Sequence, residues 1–191
     1  MKIIDIINYI QYIIIFQISF LIRSINSIDV YVKSTSQSIQ SFLDFLPSLS
    51  SYEEGVNFYF PDPYYSFSEY DVYGSAVDID TPIAFISKSE NKTIFDYGET
   101  DRFGLKFYNS DRNFGNLYFN GIIFKNYTSS RMHILPIYTS NDLFHIVFEN
   151  CEFYGIKNSF IFTYISNNIC RSNENDYQIE LNNCIFRYIY T

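Results

Sequence analysis

Apolar and polar positions alternate with period two along much of the second half of the chain, and three stretches share one pattern without gaps. Leu117 to Phe124, Ile146 to Phe153 and Ile179 to Phe186 each carry apolar residues at their first, third, sixth and eighth positions. Period two predicts strands with one buried face. The change of phase between the third and sixth positions predicts a corner at the fifth, where Gly121, Asn150 and Asn183 stand. These residue types tolerate the left-handed backbone that a sharp bend demands. The stretches start 29 and 33 residues apart, the spacing of a coil repeated along a solenoid.

The sixth position, Ile122, Cys151 and Cys184, points into the coil in this scheme, and Asn150 and Asn183 stack at the corner as a structural ladder. The two cysteines are read as small buried core residues, with a disulfide between neighbouring coils left open. Each repeat has a further apolar stretch, Met132 to Tyr138 and Ser159 to Ile165. Upstream, Ile83 to Ile86, Thr93 to Asp96 and Leu105 to Phe107 read as strands of less regular coils. Ile28 to Val32 reads as another strand. From Ser36 to Leu46 the period changes, placing Ile39, Phe42, Leu43 and Leu46 on one helical face before Pro47 ends the helix. A single amphipathic helix there is suited to capping an open solenoid end. The fold class expected is all-β: a right-handed parallel β-helix with an N-terminal capping helix, preceded by a signal peptide.

The first 27 residues read as that signal peptide, with Lys2, an apolar run from Tyr12 to Ile22 and Ile25-Asn26-Ser27 as the cleavage site. The competing reading is an uncleaved anchor from Ile3 to Ile22. Residues 28–50 then form the capping strand and helix, and residues 51–191 the coils. Past Phe186 no polar capping segment follows. A solenoid truncated at its C-terminus, or end-to-end self-association through the uncapped coil, is therefore expected.

Composition agrees with strands: the 191 residues are 47% hydrophobic, with 19 Tyr, 20 Phe and no Trp. The net charge is -8, and between Glu53 and Asp101 eleven acids face two bases, Lys88 and Lys92. A surface of this sign repels phosphate backbones and anionic lipid, which argues against nucleic acid and peripheral membrane binding. Three cysteines, Cys151, Cys170 and Cys184, carry no metal-ligand spacing. Asn91-Lys92-Thr93 and Asn126-Tyr127-Thr128 are glycosylation acceptors in an exported chain.

The Asn-Cys-x-Phe coils, the opening strand and helix, and the blocks around Ile83 and Thr93 resemble the pectin-lyase-like parallel β-helix proteins, from about Ile28 onward. The likeness is greatest to exported members with no catalytic commitment. The resemblance implies the fold; for the enzymes of that group it also implies acidic polysaccharide substrates, calcium with a basic residue in lyases, and clustered aspartates in hydrolases. Neither arrangement carries over, because the chain has no Asn-Thr-Asp, Asp-Asp, Gly-His-Gly or Arg-Ile-Lys, and Lys125, Lys157 and Arg187 stand alone.

The remaining chemistry is sparse. His133 and His145 have no nucleophile or ligand partner at strand spacing, and His145 is placed near a coil corner. Asp71, Asp78 and Asp80 form an oxygen-rich stretch of the kind that holds calcium, against the reading of turn-forming aspartates. The aromatic run from Phe58 to Tyr73 offers Tyr64 and Tyr65 for stacking on sugar rings, against strand packing. The expected function is an exported β-helix acting as a surface or matrix interaction module, an enzyme being disfavoured. The alternative is a polysaccharide-binding or polysaccharide-active domain. Partners are an extracellular polysaccharide or protein, and no cofactor is required.

Overall fold

The computed structural model describes residues 27–70, 72–78, 81–99, 103–109, 115–128, 135–139, 144–157, 161–165 and 179–189. The leader segment, its anchor alternative, Asp71, Asp80, His133 and Cys170 lie outside the described residues.

Alternation of period two produces three parallel sheets that wind into a β-solenoid. The first sheet has six strands in the order β1 (Ile28–Tyr31), β2 (Val56–Phe60), β5 (Ile83–Ser87), β8 (Gly115–Asn120), β11 (Phe144–Glu149) and β14 (Ile179–Asn182). The second stacks β3 (Tyr64–Ser66), β6 (Thr93–Asp96), β9 (Ile122–Lys125), β12 (Glu152–Tyr154) and β15 (Ile185–Arg187). The third stacks β4 (Val72–Asp78), β7 (Phe103–Asn109), β10 (Leu135–Thr139) and β13 (Ile161–Ile165). Each coil visits the three sheets in turn, so every strand pairs with its counterpart one coil away.

The register places like residues in columns. In the first sheet Val30, Phe58, Phe85, Phe119, Phe148 and Leu181 are successive Cα partners. Phe85 stacks on Phe119 at 4.9 Å and 16°, and Phe119 on Phe148 at 4.9 Å and 6°. In the second sheet Tyr65, Phe95, Phe124, Phe153 and Phe186 form a parallel column. Offset stacking of this kind lets a wide aromatic side chain repeat at the strand spacing of roughly 4.8 Å without a void.

The predicted corner is present: Gly121, Asn150 and Asn183 have φ of 70°, 54° and 52°. The peptide ladder continues through it, with Gly121 N donating to Glu149 O at 3.0 Å and Asn150 N to Asn182 O at 2.8 Å. The asparagine side chains meet more loosely, Asn183 Nδ2 lying 3.5 Å from Asn150 Oδ1. The main chain, rather than the amide ladder, carries the corner. A second corner follows β9, β12 and β15, where Asn126, Gly155 and Tyr188 have φ of 57°, 65° and 52°. Tyr188 hides this column from the sequence, since tyrosine is not a turn-forming type.

The amphipathic stretch forms α1 (Ser36–Phe45), N-capped by Thr35, whose side chain accepts from Ser38 N at 3.3 Å. Leu46 and Pro47 open a 3-10 turn, Leu46–Ser51. Ile39, Phe42, Leu43 and Leu46 are buried as expected. Phe42 packs edge-on against Phe58, Phe60 and Phe85, so the helix lies over the interior of the first coils. The opening strand β1 continues the first sheet in register with β2 and belongs to the solenoid as much as to its cap.

Candidate functional site

Inward positions make the core, so any binding chemistry on the first sheet stands on its outer face. One outward column runs Asp29, Asn57, Ala84, Tyr118, Val147, Glu180, and the next Tyr31, Tyr59, Ile86, Asn120, Glu149, Asn182. Ala84 interrupts the first column with a methyl group between Asn57 and Tyr118, two strand spacings or roughly 9.6 Å apart. The result is a dip of about 110 Å³, lined by Asn57, Ala84 and Tyr118 with Glu54, Pro82 and Asn116 at its margin.

Two polar side chains of its lining, Asn57 and Tyr118, are held by neighbours. Asn57 Nδ2 donates to Asp29 Oδ1 at 2.9 Å and to Ser27 Oγ at 3.0 Å. The Tyr118 hydroxyl donates to the Glu149 carboxylate and accepts from Asn120 Nδ2 at 2.8 Å. Burial, reinforced by the Glu149 carboxylate, pushes the Tyr118 phenol up to about 12. It stays a neutral hydroxyl at physiological pH. Beside the dip, Tyr59 packs against Tyr31 at 5.1 Å, and Lys88 Nζ lies 4.5 Å over the Tyr59 ring.

His145 is the second residue of β11. Its Nε2 lies 2.9 Å from Glu180 Oε1, linking the last two coils of the sheet. The alternation of period two carries the side chain outward there, a point that its place before Ile146 concealed.

The residues singled out from the sequence are not brought together. Tyr64 and Tyr65 sit on β3, in the second sheet, whereas Asp78 ends β4 in the third. Tyr65 is fully buried; its hydroxyl donates to the Val32 carbonyl and accepts from Asp62 N at 3.2 Å. Tyr64 is exposed and donates to Asp96 Oδ2 at 3.0 Å. Asp96 also accepts from Gly98 N at 2.9 Å and from Asn126 Nδ2 at 3.0 Å. This buried carboxylate ties three successive coils together, its own and those of Tyr64 and Asn126. Among the described residues, no group of three or more His, Cys, Asp or Glu side chains is placed to hold a metal ion.

Cys151 and Cys184 are free thiols, stacked below Thr93 and Ile122 in the sixth-position column. Cys151 is buried, with Sγ 3.4 Å from Glu149 O; Cys184 is half-buried, with Sγ 3.4 Å from Phe148 O. The disulfide alternative is not formed. Thr93 is buried in the same column, its Oγ1 within 3.2 Å of the Phe60 and Asp62 carbonyls and 2.8 Å from Ser87 Oγ. Of the two glycosylation acceptors, Asn91 is exposed between β5 and β6, whereas Asn126 is half-buried at a corner with its amide donating to Asp96.

The dip at Ala84 is the site that sequence reasoning missed. An alanine in an outward column becomes informative only when the register shows which side chains flank it. No protein-family model, no curated protein and no solved structure matches the chain.

Proposed function

We propose that the protein is an exported, non-catalytic interaction module of the right-handed, pectin-lyase-like β-helix kind, and that the outer face of its first sheet binds uncharged, hydroxyl-rich carbohydrate. The observation that carries the reading is the dip at Ala84, a mainly apolar hollow whose lining also includes the amides of Asn57 and Asn116, the Tyr118 side chain and Glu54. Sugars present the complementary surface: hydroxyls that exchange hydrogen bonds with Asn, Tyr and Glu side chains, and apolar ring faces that lie on a methyl group or a tyrosine. The groups at the wall are already oriented by Asp29, Glu149 and Asn120, so less side-chain freedom is lost on binding.

Charge selects among glycans. A chain of net charge -8 disfavours polyuronates, and the acids concentrated between Glu53 and Asp101 include Glu54 beside the dip. Neutral xylan fragments are therefore favoured over polygalacturonate.

The test is calorimetric titration of the protein with xylan and polygalacturonate oligosaccharides, with and without calcium. Binding of the neutral ligand, lost in Ala84→Phe while the melting temperature is retained, is the expected result. The phenylalanine fills the dip from the solvent side and leaves the core alone. Unchanged affinity in Ala84→Phe would place the ligand elsewhere. Turnover of any of these glycans that one acid substitution abolishes would replace the binding module with an enzyme.

A further inference from the structure

The dip at Ala84 is smaller than a sugar. An apolar cavity of about 150 Å³ holds a benzene molecule, so a dip of about 110 Å³ takes, in proportion, about four heavy atoms. A pyranose ring with its hydroxyls exceeds that size and lies across the mouth, and only a substituent of the ring enters. The substituent meets an apolar floor, the Ala84 methyl group and the Pro82 ring, with Tyr118 as one wall. The main chain fixes this floor. Val56 N donates to the Pro82 carbonyl at 2.9 Å, and Gly55, at φ 95°, allows the approach, since a Cβ on it would lie 2.4 Å from the same oxygen.

The polar groups of the lining accept more than they donate. Asn57 Nδ2 gives both of its protons away, to Asp29 Oδ1 at 2.9 Å and to Ser27 Oγ at 3.0 Å, so Asn57 offers a ligand its Oδ1. The Tyr118 hydroxyl is engaged by Glu149 and Asn120, which leaves its ring for the wall. Glu54 is exposed at the margin, and a carboxylate only accepts. The substituent that suits this site has about four heavy atoms, a methyl group for the floor and an N–H for Asn57.

We infer that the dip is a subsite for the acetamido group of an N-acetylated amino sugar. The inference rests on the carbohydrate reading and narrows it to one class of neutral glycan. The methyl group lies on Ala84 and Pro82, the N–H donates to Asn57 Oδ1, and the carbonyl oxygen stays at the open mouth, where water satisfies it. Other substituents match less of the site. An acetyl ester brings the methyl group but no proton to donate. A free ammonium donates but gives up its hydration against an apolar floor. The carboxylate of a uronate meets Glu54 and a chain of net charge -8. A bare hydroxyl donates but leaves the floor unfilled.

Calorimetric titration of the full chain with oligosaccharides of equal length tests the assignment on the unmodified protein. The probes are oligomers of β-linked N-acetylglucosamine, their de-N-acetylated forms, cello-oligosaccharides, and xylan oligomers with and without acetyl esters. The expected result is binding of the N-acetylglucosamine oligomer about tenfold tighter than of the cello-oligosaccharide, the yield of one buried methyl group and one hydrogen bond. Ala84→Val, which narrows the dip at a strand position suited to valine, is expected to erase that preference while the melting temperature is retained. Equal affinity for the N-acetylated and cello-oligosaccharides would overturn the acetamido assignment and leave the carbohydrate reading standing. Tighter binding of the acetyl ester would overturn the role of the N–H. Tighter binding of the de-N-acetylated form, lost in salt, would replace the assignment with charge attraction, and a preference that survives Ala84→Val would place the acetamido group elsewhere. No binding of any probe would overturn both the assignment and the carbohydrate reading.

Discussion

Phe148 and Leu181 occupy one column of the first sheet on adjacent coils, so truncating each to alanine measures how far stability depends on the column's interior. Phe148 is completely enclosed, stacked on Phe119 at 4.9 Å and edge-on to Phe153 at 5.6 Å and to Phe124 at 6.1 Å. Phe→Ala in a core costs about 3–5 kcal/mol. Aromatic pairs contribute about 0.5–1.5 kcal/mol each beyond their burial, which places Phe148→Ala near the top of that range, about 4–5 kcal/mol. Leu181 is 48% exposed, so its truncation forfeits only part of a buried leucine's transfer energy, about 1 kcal/mol. Guanidinium midpoints at equal slope give the two values directly. Against a typical domain stability of about 5–15 kcal/mol, the first variant is severely weakened and the second is not. A loss below about 2 kcal/mol for Phe148→Ala, or one no larger than that of Leu181→Ala, would show that the stacked column does not hold the solenoid together.

Three further outcomes follow from the same structure. Burial pushes the Tyr65 phenol up to about 12, so the folded state holds its proton more tightly than the unfolded chain does. The stabilisation is complete below pH ~10 and is lost as pH rises toward about 12, a change of about 2–3 kcal/mol that Tyr65→Phe should abolish in pH-dependent denaturation. At the corner, Asn150→Gly should be nearly neutral, whereas Asn150→Ala should cost about 1–2 kcal/mol in chemical denaturation because its φ is 54°. Burial also raises the Cys151 thiol to about 12, so alkylation of the native protein followed by mass spectrometry should label half-buried Cys184 well ahead of Cys151.

Much of the architecture was legible because three aligned stretches carry both the strand period and its phase change, and because glycine and asparagine mark the corner between them. The helix was legible for a similar reason: Ile39, Phe42, Leu43 and Leu46 keep helical spacing up to a proline. The second corner was not, since Tyr188 holds a left-handed conformation that its type disfavours. Tyr64 and Tyr65 looked equivalent as adjacent aromatics, yet successive side chains of a strand point to opposite faces. Tyr65 enters the core, and Tyr64 stays exposed with its hydroxyl on Asp96.

The sequence by itself determined where the strands of the three aligned stretches and the corner at Gly121, Asn150 and Asn183 fall, because backbone preference and period two are properties of neighbouring residues. It likewise located the acidic stretch between Glu53 and Asp101. Only the tertiary structure decided which side chains share a surface, because that depends on coil register, and coil lengths vary with the connections between strands. The dip at Ala84 draws on Asn57 and Tyr118 from two other coils, and the buried Asp96 on a tyrosine and an asparagine about 30 residues away on either side.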